Sequence, residues 1–275
     1  MNEEKKALLA EHARQIRIGA IKAIHAAKAG HPGGALSIAE ILSYLYFEEM
    51  KVDPKNPKDP DRDRFVLSKG HASAGLYAAL SERGFFDKEL LLTFRKNGSI
   101  LQGHPDMKHI PGVDMSTGSL GQGISAACGM ALAGKVDKKD YRVYAILGDG
   151  EIEEGQVWEA AMFARHYNLD NLCAFVDFNG LQIDGKITDV IDPTPIDEKF
   201  AAFGWNVVVI DGNDLDQIEK AVECAKATKG KPTAVIAKTV KGLGVSYMEN
   251  QVGWHGKAPN DEEYAIAMRE LGETL

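Results

Sequence analysis

A carboxylate stands between two glycines where an apolar run ends, in the segment "AILGDGEIEEG" at residues 145–155. Asp149 is that acid, and Asn179 follows the next apolar run, 179 − 149 = 30 residues further along. One β-α-β crossover of this length brings the carboxyl ends of two adjacent parallel strands side by side. We therefore expect Asp149 and Asn179 to face one point in space.

The chemistry of this pair is that of a metal-assisted phosphate site. A carboxylate and an amide carbonyl are hard oxygen ligands, which suit Mg²⁺ or Ca²⁺ better than Zn²⁺. The glycines beside Asp149 allow a diphosphate to approach the backbone, and a helix predicted to begin near Gly155 adds its positive end. The alternative is that both residues have only a structural role, Asp149 in a turn at the end of a strand and Asn179 in an Asn-Gly turn.

Four of the eight histidines stand beside glycine in loop segments, and they are His31, His71, His104 and His255. A lone loop histidine is usually a surface residue, but imidazole titrates near neutral pH and is suited to proton transfer. We predict that this set belongs to a reaction site. The other four are expected to be ordinary surface or structural residues: His12, His25, His109 and His166.

The elements that position these residues alternate along the chain after about residue 140. The predicted strands there are "YRVYAIL", "LCAFVD", "WNVVVI" and "TAVIAK", with helical segments between them and a short strand "FVLS" before them. Continuous apolar strands that alternate with helices indicate an α/β fold, a parallel sheet with helices on both faces. Such sheets bind ligands beyond the carboxyl ends of their strands, where Asp149 is expected to lie.

The N-terminal half is predicted to be mainly helical. A helix is expected over roughly residues 3–27, and Ser37 with Glu40 predicts a capping box that opens a second helix. Further helices are predicted in "ASAGLYAALSERG" and "DKELLLTFRKNG". Residues 98–120 are rich in Gly and His without any period. A loop of that length in a compact domain is usually functional.

The composition restricts the class of protein. A chain of 275 residues that is 44% hydrophobic can bury a sizeable core, and we expect one domain over residues 1–275. The formal charge of 32 − 40 = −8 argues against a nucleic-acid partner. The three scattered cysteines fit no metal or redox pattern, and the N-terminus has the features of neither a secretion signal nor a membrane span. We therefore expect a cytoplasmic protein that has no membrane partner.

Seven segments, taken in order, resemble the landmarks of the transketolases from roughly residue 10 to the end. The Gly-Asp-Gly followed about 30 residues later by Asn resembles the thiamine-diphosphate-binding signature. The resemblance implies the thiamine-diphosphate-binding fold, in the N-terminal part of a transketolase. The segments are "RIGAIKAIHAAKAGHPGGALS", "RFVLSKGHAS", "GHPD", "STGSLGQGIS", "GDGEIEEGQVWEA", "VDFNGLQIDG" and "GWHGKAP".

The resemblance implies a metal site within a cofactor site. Asp149, Asn179 and the backbone carbonyl of Leu181 would hold Mg²⁺, with Ca²⁺ or Mn²⁺ as alternatives. Gly150 would lie against the diphosphate of thiamine diphosphate. Two backbone groups would meet the aminopyrimidine ring, those of Gly118 and Leu120.

The resemblance also implies roles for the histidines and the acids. His71 and His255 would line the diphosphate and the reacting centre, whereas His31 and His104 would contact sugar hydroxyls. Glu154 would be both a catalytic and a cofactor-binding residue. Together with Glu159, it would form a proton relay between paired active sites. Two neighbouring acids are left as predicted surface residues, Glu151 and Glu153.

The resemblance covers only the N-terminal part of a transketolase. The family's pyrimidine-binding domain, which supplies the glutamate that activates the cofactor, and its C-terminal domain have no counterpart in these residues. We therefore expect the partner to be a separate C-terminal subunit, in an α₂β₂ heterotetramer that is active only when assembled. The implied reaction transfers a two-carbon ketol unit from a ketose or its phosphate to an aldose or its phosphate. The pentose phosphate pathway is the default assignment, and a specialised sugar pathway is the alternative.

Two other functions compete with this one. The subunit of a 2-oxo acid dehydrogenase or a deoxyxylulose-phosphate synthase would share the Asp149–Asn179 pair, but the ordered histidines favour a transketolase. A non-catalytic regulatory subunit of the same fold is the alternative from a different class. The presence of the metal ligands Asp149 and Asn179 argues against a non-catalytic subunit, because such a subunit has no reason to keep them.

Overall fold

The computed structural model describes residues 1–273 and contains a five-stranded sheet in the order β1-β2-β3-β5-β4. Every neighbouring pair of strands is parallel. The strands β2 and β3 are adjacent, with Gly148 opposite Asp177, so Asp149 and Asn179 emerge at the same edge as predicted. The strands are β1 (Arg64–Leu67), β2 (Val143–Gly148), β3 (Leu172–Phe178), β4 (Asn206–Asp211) and β5 (Thr233–Lys238).

Helices cover both faces of this sheet. Side chains of β2 alternate between two apolar cores: Tyr144 and Ile146 face one, and Ala145 and Leu147 face the other. The alternation confirms a parallel sheet buried on both faces. The α-helices are α1 (Glu3–Ala27), α2 (Pro32–Leu36), α3 (Ala39–Tyr44), α4 (Ser73–Arg83), α5 (Gln122–Val136), α6 (Gly155–His166), α7 (Ile187–Val190), α8 (Ile196–Ala202), α9 (Leu215–Ala227) and α10 (Asp261–Glu270). Within residues 1–273, no helix is both long and apolar enough to cross a membrane.

Two predicted local features are wrong. The capping box does not form, because the Ser37 hydroxyl donates to Asp177 and Glu40 pairs with Arg17, so distant partners replace the local cap. The segment predicted as the helix "DKELLLTFRKNG" forms only a short 3₁₀ helix, Lys88–Thr93. It ends there because the backbone at Phe94 leaves the helical conformation, with φ at −47° and ψ at 131°. The long loop over residues 98–120 contains no helix or strand, as predicted.

A buried ion pair connects the helical layer to two loops at the site edge. Both Arg17 amino groups donate to the Glu40 carboxylate at 2.7 Å. Glu40 also accepts from the Asn213 amide, whose oxygen accepts the backbone N–H of Val240. The network ties α1 and α3 to the loops that follow β4 and β5. The second of these loops carries Lys241.

This network predicts an asymmetric response to the loss of two glutamates on the helical layer. Glu40→Ala should lower the free energy of unfolding by about 3–5 kcal/mol, because the buried Arg17 charge loses its partner. Glu11→Ala removes an exposed pair with Arg14 and should cost about 1 kcal/mol or less. Chemical denaturation measures both values. Equal small losses would contradict a stabilising role for the buried pair.

Candidate active site

A cavity of about 250 Å³ lies at the carboxyl edge of the sheet. It is formed by the segments that follow β1, β2, β3 and β5, together with the start of α2. Residues from sequence-distant loops therefore meet at one place. The predicted site residues in its wall are His31, His71, Gly118, Leu120, Asp149, Gly150, Asn179, Leu181 and His255.

Three predicted residues do not line the cavity. His104 is exposed, but its ring lies so close to Gly118 that a side chain at Gly118 would come within 3.1 Å of it. His104 therefore stands at the cavity mouth. Glu154 and Glu159 are exposed at the beginning of α6, outside the cavity. Their predicted role in a relay stays a prediction.

Asp149 is buried without a positively charged partner among the described residues. The residue is only 4% exposed. Its carboxylate oxygens accept the backbone N–H groups of Gly150 at 2.9 Å and Gly180 at 2.6 Å. Burial, and after it the nearby Asp177 carboxylate, raise the pKa of Asp149 to about 7. A carboxylate held in this way would gain strongly from a divalent cation.

Asn179 and Leu181 offer two further oxygens with fixed orientation. The Asn179 amide nitrogen donates to Asp177 at 2.9 Å, and its oxygen accepts the Leu181 N–H at 3.1 Å. The Leu181 carbonyl accepts from the Lys241 ammonium at 2.9 Å. Each oxygen has a second lone pair left. The donor set of carboxylate, amide and carbonyl oxygens fits Mg²⁺, Ca²⁺ or Mn²⁺.

The charges in the cavity wall also favour a cation. Three carboxylates and two ammonium groups line it, a formal balance of 2 − 3 = −1. A diphosphate would meet net negative charge in such a cavity unless a metal ion accompanied it. The charged residues are Lys69, Asp149, Glu151, Asp177 and Lys241.

Behind Asn179 lies a fully buried ion pair, which no local sequence pattern indicated. The Lys69 ammonium donates to Asp177 at 2.6 Å, and their side chains are 2% and 0% exposed. Asp177 also accepts from the hydroxyls of Ser37 and Thr239. Although burial acts in the opposite direction, Lys69, the Thr239 hydroxyl and the Asn179 amide hold the pKa of Asp177 below its ordinary value. Asp177 is therefore a charged anchor for the Asn179 amide.

The two glycines of "HPGG" make room for the lysines. A side chain at Gly33 would come within 3.0 Å of the Lys241 stem. A side chain at Gly34 would come within 3.4 Å of the Lys69 ammonium and 3.6 Å of the His71 ring. The glycine pair beside His31 therefore provides the space that the two lysines occupy, but it does not by itself indicate which side chains fill that space.

Three imidazoles face one another in the cavity. The ring centroids of His31, His71 and His255 are 5.2–5.5 Å apart. Burial, with nearby positive charge, lowers the pKa of His31 to about 4 and that of His255 to about 3. The same causes place the pKa of His71 well below its ordinary value. All three rings are neutral at pH 7, and each keeps one N–H donor and one lone pair.

The prediction that Glu151 and Glu153 are surface residues is wrong. Glu151 is 2% exposed, and its carboxylate accepts from the Ser68 hydroxyl and from the backbone N–H groups of Gly121 and Gly148. Glu153 is half-buried. A 3₁₀ turn, Glu151–Glu153, directs the first acid inward, where three unpaired donors attract it. Glu151 fixes the loop that carries Gly118 and Leu120.

The four remaining histidines lie outside the cavity, as predicted. His12 stacks on Phe47, and His25 stacks on Tyr264. His109 and His166 are exposed.

Comparison with known families assigns this architecture. The family model described as "Transketolase, thiamine diphosphate binding domain" matches residues 9–274. The chain belongs to the transketolase family. This confirms both the family and the fold class predicted from the sequence.

Two relatives resemble this transketolase chain over nearly their whole length. It is 47% identical, over 98% of both chains, to the "6-deoxy-6-sulfo-D-fructose transketolase subunit SqwG" of Clostridium sp. (strain MSTE9). It is 44% identical to one of the subunits of the apulose-4-phosphate transketolase of Phocaeicola vulgatus, over 93% of this chain and 90% of the relative.

Solved transketolases are longer than this chain, and part of each has the same fold as this chain. The transketolase from Campylobacter jejuni superposes with a TM-score of 0.90 at 36% identity, over 99% of this chain and 43% of that one. The enzyme from Leishmania mexicana gives a TM-score of 0.91 at 33% identity, over 96% of this chain and 41% of that one. The chain thus spans about two fifths of the length of these transketolases.

Glu151 is buried and Glu154, three residues later, is exposed, so their replacement should affect stability differently. Glu151→Ala should lower the free energy of unfolding by about 3 kcal/mol, because it leaves three buried donors unpaired at about 1–3 kcal/mol each. Glu154→Ala, at an exposed position, should change it by about 0.5 kcal/mol or less. Denaturant titration of the two variants beside the parent measures this. Equal stability of both variants would contradict the anchoring role of Glu151.

Proposed function

We propose that this chain is the diphosphate-binding subunit of a two-subunit transketolase. With a separate C-terminal subunit it would transfer a two-carbon ketol unit from a ketose or its phosphate to an aldose or its phosphate. The observation that carries the proposal is the convergence of Asp149, Asn179 and the Leu181 carbonyl with three neutral imidazoles in one cavity. The two near-full-length relatives, each named as a transketolase subunit, support a separate partner.

In this proposal, Asp149, Asn179 and the Leu181 carbonyl hold Mg²⁺, with Ca²⁺ or Mn²⁺ as alternatives. Gly150 lies against the diphosphate, because its lack of a side chain keeps that side of the cavity open. Thiamine diphosphate, when bound, supplies the nucleophilic carbon that accepts the two-carbon unit. The buried Asp149 carboxylate supplies the negative charge that a divalent cation requires.

Gly118 and Leu120 form the part of the wall assigned to the aminopyrimidine. They precede Gly121, whose N–H donates to Glu151 at 2.9 Å. Leu120 is 36% exposed at the cavity mouth. A backbone held by a buried carboxylate offers hydrogen-bonding groups to the ring with little freedom to lose on binding.

The histidines are assigned to proton handling and sugar binding. His71 and His255 face the diphosphate and the reacting centre. His31 and His104 hold sugar hydroxyls, one from inside the cavity and the other from its mouth. A neutral imidazole both donates and accepts a hydrogen bond, which suits a group that must follow a hydroxyl proton through the reaction.

The assembly proposed is an α₂β₂ heterotetramer. Glu154 and Glu159 are exposed, and neither forms an ion pair within the described part of the chain. Met162 and Phe163, on the same helix α6, are exposed apolar residues. We assign this surface to a second copy of the chain, across which the two glutamates would form the relay.

The competing functions have less support. The family match over residues 9–274 favours a transketolase over a 2-oxo acid dehydrogenase or a deoxyxylulose-phosphate synthase. The complete set of oxygen ligands disfavours a non-catalytic subunit. A cytoplasmic location is proposed from the free cysteines, two of which are buried. Both the pentose phosphate pathway and a specialised sugar pathway are compatible with the site, so the donor is a question for assay.

The metal site predicts a cation-dependent stabilisation. Thiamine diphosphate at about a hundredfold excess over Kd should stabilise the assembled protein by about 2.7 kcal/mol when Mg²⁺ is present and hardly at all when EDTA removes it. Asp149→Ala should abolish the shift in melting temperature. Asp184→Ala, which changes an exposed acid in the next loop, should retain it. A full Mg²⁺-dependent shift in Asp149→Ala would contradict the ligand assignment.

The two-subunit proposal predicts that activity depends on assembly. The purified chain alone should transfer no ketol unit, because the group that activates the cofactor lies on the partner. Adding the partner should give turnover, and a panel of ketose phosphates and modified ketoses then identifies the donor. Ketol transfer by the isolated 275 residues at the rate of the complex would overturn the proposal.

A further inference from the structure

Arg95 is a charged side chain without an ionic partner, in the segment that leads to His104. It is exposed and forms no ion pair within residues 1–273. Its only side-chain hydrogen bond in that range is a long one, from the guanidinium to the Gly103 carbonyl at 3.5 Å. A guanidinium carries several N–H donors and stays charged at all physiological pH values. Arg95 therefore presents free donors and an unpaired positive charge.

Arg95 lies at the mouth of the cavity. A side chain at Gly103 would come within 2.7 Å of the guanidinium carbon of Arg95. The next residue, His104, packs its ring against Gly118, which lines the cavity. After burial, the nearby charge of Arg95 is the second cause that lowers the pKa of His104 and of His31. The guanidinium therefore lies close to both histidines that are assigned to sugar hydroxyls.

The backbone keeps Arg95 beside the mouth. Arg95 has a φ of 59°, a left-handed conformation that is uncommon for a residue other than glycine and persists only where its surroundings support it. Its N–H donates to the carbonyl of the fully buried Leu101 at 2.9 Å. On the other side of Gly103, the Tyr77 hydroxyl donates to the His104 carbonyl at 2.9 Å. Both ends of this loop are thus anchored, and the loop holds Arg95 in place.

Exposed apolar side chains surround the same mouth. Leu120 and Ile183 line the cavity and are exposed. Met107, three residues after His104, is also exposed, and its N–H donates to the Ser116 hydroxyl on the loop of Leu120. Exposed apolar patches mark interaction surfaces, and protein interfaces are enriched in Met and Arg. The composition of the mouth thus fits a surface that the C-terminal subunit covers.

A subunit that covers the mouth takes the Arg95 guanidinium out of water. Burying an unpaired charge is costly, and a carboxylate opposite it compensates that cost through charge and hydrogen bonds. A sugar phosphate cannot supply this compensation permanently, because it leaves after each turnover. A carboxylate of the covering subunit is present in every state of the enzyme, and the planar guanidinium can bind both of its oxygens. These conditions favour a protein carboxylate over a substrate anion as the partner of Arg95.

We propose that Arg95 forms an interfacial ion pair with a carboxylate of the separate C-terminal subunit, and that this pair is a main determinant of assembly. The inference rests on the proposed two-subunit function. It assigns Arg95 to subunit contact at the edge of the site, and not to the chemistry of ketol transfer. It also gives Gly103 a role, because the absence of a side chain there leaves room for the guanidinium.

The affinity between the two subunits tests the inference directly. It is measured by isothermal titration calorimetry with thiamine diphosphate and Mg²⁺ present and without any sugar. Arg95→Met should weaken assembly by about 30-fold or more, which corresponds to about 2 kcal/mol, the lower end for truncating one member of a buried charge pair. Lys96→Met removes the exposed charge of the next residue and is the matched control, with an expected change of about threefold or less. Parent affinity in Arg95→Met would overturn the proposal.

Folding of the variants is checked on the chain alone. Both substituted positions are exposed, so Arg95→Met and Lys96→Met should melt at the parent temperature. If Arg95→Met does not, Arg95→Lys replaces it, because it keeps the positive charge and loses the bidentate contact. Arg95→Lys should then weaken assembly by about tenfold, and parent affinity in that variant would count against the ion pair.

A double-mutant cycle identifies the partner carboxylate. Each acid of the C-terminal subunit near the interface is replaced by its amide, and the affinity of each variant is measured with the parent chain and with Arg95→Met. One acid should matter by about 30-fold to the parent chain and by about threefold or less to Arg95→Met. Exchanging the two charges, Arg95→Glu with lysine in place of that acid, should restore part of the affinity that Arg95→Glu alone loses. Additive losses for every acid would contradict an ion pair.

Kinetics of the assembled enzyme distinguish a protein carboxylate from a substrate anion. At partner concentrations that saturate assembly, Arg95→Met should change the KM for a ketose phosphate and for the same ketose without phosphate alike. A rise in KM confined to the phosphorylated sugar, with parent affinity between the subunits, would assign Arg95 to the substrate. That result would sink this inference and leave the proposed function standing. Weakened assembly of Arg95→Met, in a complex whose parent form transfers no ketol unit, would do the reverse.

Discussion

Two carboxylates are buried next to each other where β2 and β3 end, and they are stabilised in different ways. Asp177 has the Lys69 ammonium at 2.6 Å together with hydroxyl and amide donors. Asp149 has only backbone N–H donors, and its pKa rises to about 7. Removing a charge from water is costly unless a partner compensates it, so the first carboxylate is a structural anchor and the second is left for a cation.

The anchor determines the geometry of the rest of the site. Lys69 follows β1, Asn179 follows β3 and Thr239 follows β5, and all three donate to Asp177. Ser37, between α2 and α3, donates to it as well. Loops from four parts of the chain are thus joined at one carboxylate, and the Asn179 amide is oriented as a consequence. A second charged group, Glu151, does the same for the loop on the other side of the cavity.

The sequence was sufficient for the features that depend on period and spacing. The strand pattern predicted the parallel sheet, and the crossover length predicted that Asp149 and Asn179 emerge side by side. It was not sufficient for Lys69, Asp177 and Lys241, because charged residues are usually exposed and their burial depends on partners far away in sequence. Lys69 and Asp177 are 108 residues apart. Among the acids after Asp149, no local pattern distinguished the buried Glu151 from the exposed Glu154.

The chemistry proposed for this cavity depends on one point, that Asp149, Asn179 and the Leu181 carbonyl hold the cation that carries the diphosphate. The most direct measurement is a crystal structure of the complex with thiamine diphosphate and Mn²⁺, with diffraction data collected at the manganese absorption edge. We expect one anomalous peak at about 2.0–2.6 Å from an oxygen of each of the three residues and in contact with the diphosphate. A bound diphosphate whose metal ion lies away from Asp149 would contradict this assignment.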